Sequence, residues 1–186
     1  MTRFAEVAAT SAAVGATRSR TGKLAALADL LRRLEDDELV PTVAWLSGGA
    51  PQGRIGVGWA TVADAERDLG AEPAAEATLT VGEVDAAFER LAGLVGAGAG
   101  SNTARRTELA GLLRRATPPE ADLLWRLFVG ELRHGALEGL VTDAQPSLRR
   151  PTRAGLDHLE RVLQQPRKDR RRTPIVVGAV TGLGGS

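Results

Sequence analysis

Sliding the chain against itself by 82 residues lays Ser19–Leu34 over Ser101–Ala116. Eight of those 16 positions coincide: Ser19/Ser101, Thr21/Thr103, Leu27/Leu109, Ala28/Ala110, Leu30/Leu112, Leu31/Leu113, Arg32/Arg114 and Arg33/Arg115. Lys23 meets Arg105 with its charge kept, Glu38 meets Glu120 and Gly48 meets Gly130 at the same offset. After a three-residue gap, Arg54-Ile55-Gly56 meets Arg133-His134-Gly135, so the repeat runs over about residues 17–58 and 99–137. Two copies are too few for a solenoid, whose units need at least three neighbours to bury a continuous core. A pseudo-two-fold domain is the architecture that two copies allow.

The repeated unit is helical. Leu24, Leu27, Ala28, Leu31 and Leu34 recur at steps of three and four, which places them on one face of a helix over about 21–35. Asp36 and Asp37 are candidate caps for a second helix whose first turn tolerates Pro41 and which stops at Gly48-Gly49. Four Gly or Pro residues between Ala50 and Gly58 read as a loop. Thr80 with Glu83 forms a capping-box pattern ahead of Val84, Phe88, Leu91 and Val95. Gly96–Gly100 reads as a flexible connection, and Leu109, Leu112, Leu113 and Ala116 mark the next helix. Thr117-Pro118-Pro119-Glu120 opens one more, expected to reach Leu132. No sustained period-two alternation precedes Ile175, so the expectation is an all-α domain over 1–144 and a basic, partly disordered tail over 145–186.

Composition narrows the chemistry. The chain has 22 Arg but only Lys23 and Lys168, no Cys, and two His, at 134 and 158. Thiolate nucleophiles, disulfides and sulfur-ligated zinc are excluded, lysine covalent catalysis has two candidates in no active-site context, and a metal cluster is not expected. A net charge of +1 conceals 15 basic and 20 acidic residues through position 148 against 9 and 3 beyond it. Asp64, Glu66, Asp68, Glu72, Glu76, Glu83, Asp85 and Glu89 crowd the middle, whereas Arg18, Arg20 and Lys23, and later Arg105, Arg106, Arg114 and Arg115, form separate basic clusters. Trp45, Trp59 and Trp125 sit among apolar neighbours and are expected in the core. Gly15 and Gly22-Lys23 lack Walker-loop spacing, and the strand-like run Ile175–Gly185 has no helix after it to receive a phosphate. No 18-residue apolar run exists and Arg3 and Glu6 interrupt the first eleven residues, so neither a membrane span nor a signal peptide is expected and the expected location is cytoplasmic.

Each copy of the repeat has a use. A Ser/Thr-rich, basic segment opens a helix, whose N-terminus presents unpaired N–H groups and the positive end of the macrodipole to anions. Ser19, Thr21, Ser101 and Thr103 supply hydroxyls, Lys23, Arg105 and Arg106 supply charge, and Arg20 and Asn102 complete the set. Farther on, Arg54 with Gly56 and Arg133 with Gly135 combine a cation with a glycine past which another backbone can approach. Taken singly, each cluster is ordinary capping with solvated arginines; recurrence of the whole set at one offset favours phosphate binding by two sites matched to two antiparallel strands.

Thr17–Leu24, Trp45–Gly48 with Arg54–Trp59, Gly100-Ser101 with Arg105-Arg106, and Glu131–Gly135 together resemble the N-terminal DNA-binding domain of bacterial ATP-dependent DNA ligases, over about residues 1–144. The resemblance implies an all-helical, pseudo-symmetric, monomeric domain that grips the minor groove of nicked duplex DNA in repair, recombination and replication. Gly100, Ser101, Arg105 and Arg106 would then touch phosphates, and Arg133 with Gly135 would form the second half of the grip. His134 replaces a usual aliphatic residue and Arg105-Arg106 a frequent Arg-Lys, neither with loss of positive charge. The family uses ATP and magnesium through a Lys-x-Asp-Gly motif, but Lys23 precedes Leu-Ala-Ala and Lys168 precedes Asp-Arg-Arg, so no cofactor and no catalytic residue is expected in this chain.

From Gln145 onward the family pattern stops, and only Leu156, Leu159, Val162 and Leu163 permit a short helix. A truncated or frame-disrupted ligase gene would give such an ending, an expectation that fails if no adenylation-domain reading frame follows downstream. The reading from a different class is a helical protein-interaction scaffold in which the repeat is a packing device.

Overall fold

Thr2–Phe4 and Leu79–Val81 run antiparallel, joined by a single bridge between Arg3 and Thr80. Phe4 N donates to the Leu79 carbonyl at 2.9 Å and Val81 N to the Thr2 carbonyl at 3.0 Å. Those two bonds exchange under a shift of 77 residues, which carries Thr2 to Leu79, Arg3 to Thr80 and Phe4 to Val81. The bridge therefore marks an approximate two-fold axis.

The computed structural model describes residues 1–53, 55–69, 74–94 and 98–132. Among them the chain is all-α, with helices α1 (Phe4–Ala16), α2 (Arg20–Arg33), α3 (Asp36–Leu46), α4 (Trp59–Leu69), α5 (Val81–Gly93), α6 (Ala99–Arg114) and α7 (Pro118–Val129). The first helix of each half packs on the third helix of the other, α1 on α7 and α5 on α3, while α1 also packs on α2 and α5 on α6. One ion pair obeys the same symmetry. Arg33 meets Glu6 at 2.5 Å and Arg115 meets Glu83 at 2.8 Å, each tying the second helix of a half to its first. Both pairs are half-exposed and worth little individually.

Capping chemistry fixes the helix starts. Thr80 with Glu83 and Thr117 with Glu120 make the expected reciprocal boxes. At α3 the cap is Glu35 instead of Asp36 or Asp37, because Glu38, three residues on, returns its carboxylate to the Glu35 amide at 3.0 Å. The two aspartates stand in the first turn, where their charge favours the dipole. Pro41 lies one turn deeper than expected, inside α3. The last helix closes at Val129, where Gly130 takes a left-handed conformation (φ 71°), and Gly48 does the same after α3 (φ 86°). Repeat-related glycines thus end repeat-related helices.

The core is shared by both halves. Phe4, Trp45, Phe88 and Phe128, one from each of α1, α3, α5 and α7, form a chain of ring contacts with centroids 5.6, 5.6 and 5.1 Å apart. Trp59 departs from expectation: it is 61% exposed, with an edge-to-face contact on Trp125 at 5.3 Å. It begins α4 immediately after a glycine loop, so the neighbouring backbone does not enclose it. No helix among the described residues is long and apolar enough to cross a membrane.

Glu38 links the extended N-terminal segment to α3. It is 4% exposed and accepts from Thr2 N at 2.7 Å and Thr2 Oγ1 at 2.6 Å. Burial pushes its carboxyl up, but the hydrogen bonds from the Thr2 hydroxyl, the Thr2 amide and the Glu35 amide prevail and hold it below its usual 4.5. A carboxyl depressed in the folded state stabilises above 4.5, and that contribution disappears as pH falls through the lowered value. Glu38→Gln should therefore lose about 1.5–3 kcal/mol at pH 7, with the gap to wild type narrowing in acid. Urea midpoints at pH 7 and pH 3.5 check this, and a gap that stays constant contradicts it.

Candidate nucleic-acid interface

Helix N-termini in this fold fall into two classes. The first turns of α1, α3, α5 and α7 carry acids, namely Glu6, Asp36 to Glu38, Glu83 and Glu120. Those of α2, α4 and α6 carry none. In α2 the acid is replaced by bases, since Arg20 is the first helical residue and Lys23 the fourth. A cation at that end opposes the macrodipole by about 0.3–1 kcal/mol unless an anion offsets both. Among the described residues no acidic side chain is paired with Arg18, Arg20 or Lys23, whereas Arg33, Arg67, Arg90, Arg115 and Arg126 all have carboxylate partners.

The two repeat-related starts are built differently. Ser19 is the cap of α2, its Oγ accepting from Gly22 N at 3.1 Å, and its own amide donates to Thr17 Oγ1 at 3.1 Å. Arg20 and Thr21 beside it are exposed and Lys23 is half-buried. Its mate Ser101 lies inside α6, because α6 begins earlier in the repeat, at Ala99. The Ser101 hydroxyl turns back to donate to the Gly98 carbonyl at 2.9 Å, and no side chain caps the α6 amides. Gly100 stands in that first turn with open space where a Cβ would be, and Asn102 is exposed. This leaves a low, glycine-bordered helix end at which the backbone itself can meet a ligand.

Arg105 and Arg106 separate. Arg106 is half-buried, but Arg105 is 8% exposed and turned inward. Its Nη2 donates to the Leu94 carbonyl and its Nη1 to Asn102 Oδ1 at 3.3 Å. Gly56 lies against it: with φ at +65°, a Cβ there would stand 3.4 Å from Nε and Nη2. Arg105 thus stands as a cation against Gly56. Arg54, Arg133, Gly135 and the basic tail lie outside the described residues. Four features went unread in the sequence: the inward turn of Arg105, the exposure of Trp59, and the helices α1 and α4. The alternation of acid-bearing and acid-free helix starts was a visible signal for the first-turn classes.

Residues 60–145 match the family described as DNA ligase N terminus. Probable DNA ligases of Rhodococcus opacus and Nocardia farcinica are each 52% identical over 141 residues, 76% of this chain and 27% and 26% of those proteins. A probable DNA ligase of Anaeromyxobacter dehalogenans is 52% identical over 143 residues, again 27% of its length. The chain thus spans about a quarter of the length of the curated relatives it matches. No solved structure matches it significantly. With the all-helical fold of its described residues and half-identical relatives beside that match, residues 60–145 of this chain belong to the DNA ligase N-terminal family.

Proposed function

We propose that the helical body binds double-stranded DNA, nicked or continuous, through its sugar–phosphate backbone and without reading base sequence. The observation that carries this reading is the pair of acid-free, hydroxyl-bearing helix starts at α2 and α6, with bases in the first turn of α2 and Arg106 two turns into α6, in halves related by the approximate two-fold between Arg3 and Thr80. Opposite strands of a duplex present phosphates with that same two-fold relation. Ser19, Arg20, Thr21 and Lys23 form one half of the grip, and Gly100, Ser101, Asn102 and Arg106 the other. In this reading a monomer reaches across the minor groove, and the work served is that of a ligase in repair, recombination and replication at the bacterial nucleoid.

The joining chemistry is not assigned to this chain. Among the described residues no group of three His or carboxylate side chains could hold a metal, and Lys23 lies in a first helical turn followed by Leu-Ala-Ala.

Fluorescence anisotropy on nicked and intact duplexes of unrelated sequence tests the reading. Both should bind at 50 mM salt with affinities independent of sequence. A preference for one sequence at equal length, or no binding at low salt, contradicts it and favours the protein-interaction scaffold.

A further inference from the structure

We propose that Arg105 is a positioning residue of the DNA grip and not one of its phosphate ligands, an inference that rests on the DNA-binding reading above. Three separate pieces of chain meet at its guanidinium. Leu94, which accepts from Nη2, is the C-terminal cap of α5. Asn102, which accepts from Nη1, belongs to the first turns of α6, the candidate phosphate-binding end. Gly56, against Nε and Nη2, belongs to the loop that leads into α4. At 8% exposure the group is closed off from a ligand in solvent, yet it fixes the start of α6 relative to both neighbouring segments.

The chemistry suits arginine specifically. A planar guanidinium presents five donors in a rigid fork and can tie several acceptors at once, whereas an ammonium is a point charge on a flexible stem. Asn102 is thereby held in place by its own side-chain oxygen, which orients the Gly100–Asn102 turn. Gly56 is favoured next to the fork by its left-handed φ of +65°, and its Cβ position stands 3.4 Å from Nε and Nη2, so a methyl there would press on the guanidinium itself. The repeat mate of Arg105 is Lys23, which has no such fork, so the two halves of the grip are held by different means.

The test compares Arg105→Gln, Arg105→Lys, Gly56→Ala and Arg106→Gln in the full chain. Dissociation constants for a nicked duplex are measured across a salt series, alongside thermal unfolding. Arg105→Gln should weaken binding by roughly tenfold at every salt concentration with the log–log slope of wild type kept. Arg105→Lys should do the same, since charge is not the missing property. Arg106→Gln should flatten the slope by about one unit. If Arg105→Gln does not fold, Gly56→Ala carries the test, with the same weakening at unchanged slope expected. Arg105 is a phosphate ligand after all if Arg105→Gln flattens the slope by about one and Arg105→Lys restores binding. It is merely structural if the melting temperature drops while affinity stays at wild-type level, and wild-type affinity in Gly56→Ala equally overturns the assignment. Wild-type protein that fails to bind at all sinks the DNA reading and this assignment with it, whereas binding wild type with unaffected variants sinks only the latter.

Discussion

Trp45→Ala is expected to destabilise the domain by about 3–5 kcal/mol, a large part of the total stability of a domain this size. Trp45 has no exposed surface and its ring stands between Phe4 and Phe88, at 5.6 Å from each. Because Phe4 belongs to α1, Trp45 to α3 and Phe88 to α5, the cavity would open where the two halves of the repeat join. Trp45→Phe should be far milder. Among the described residues no acceptor meets the buried Trp45 Nε1, so replacing the indole removes an unsatisfied donor along with some volume. Chemical denaturation midpoints compare the two, and equal losses would mean that ring volume is not what Trp45 contributes.

Gly48→Ala should rank next. Gly48 holds φ at +86°, and a Cβ built there would lie 2.2 Å from the Leu132 carbonyl oxygen, a backbone atom with a nearly buried residue behind it. Left-handed strain of about 1–2 kcal/mol adds to an overpacking cost of about 1–3 kcal/mol, and the segment after α7 must shift. Gly130 provides the internal control. It is the repeat mate of Gly48 with φ at +71°, yet among the described residues nothing lies within 4 Å of its Cβ position, so Gly130→Ala carries the strain alone. Equal destabilisation by the two substitutions would show that the Leu132 contact is not a constraint.

The repeat made most of the fold legible. Leu27 and Leu109, Leu30 and Leu112, and Leu34 and Ala116 are buried pairs at the offset of 82, and the Thr117–Glu120 and Thr80–Glu83 boxes stand where their patterns lie. Two helices were not read, for different reasons. The buried positions of α1 are Phe4, Val7, Ala8, Thr10, Ser11 and Val14, so its helical period is carried half by small or hydroxyl residues that a hydrophobic count passes over. α4 lies within the acidic run after a glycine loop, and its buried Val62 and Ala65 are too few to mark a face. The true extent of the symmetry was hidden as well. The first helices repeat at 77 residues and the others at 82, because the link from α5 to α6 is two residues longer than that from α1 to α2 and α6 begins three residues earlier in the repeat than α2 does.

The site was legible as residue types and not as directions. At the α2 start Ser19, Arg20 and Thr21 are exposed and Lys23 is half-buried. Arg105 is indistinguishable from Arg106 in sequence, and only the helical phase of α6 against Leu94 and Gly56 sends one inward. Trp59 reads as core by type, but a residue that opens a helix after Gly56-Val57-Gly58 has little chain beside it to cover an indole.

The central claim is that phosphates are held by charge at the acid-free helix starts, and the salt dependence of DNA binding measures that charge directly. For the three cations of the grip, Arg20, Lys23 and Arg106, log K against log salt should fall with a slope of about −3 on nicked duplex. The Arg20→Gln, Lys23→Gln double variant should reduce that slope by about two while weakening all sequences alike. A wild-type slope near zero, or a double variant with the wild-type slope and affinity, would contradict the account.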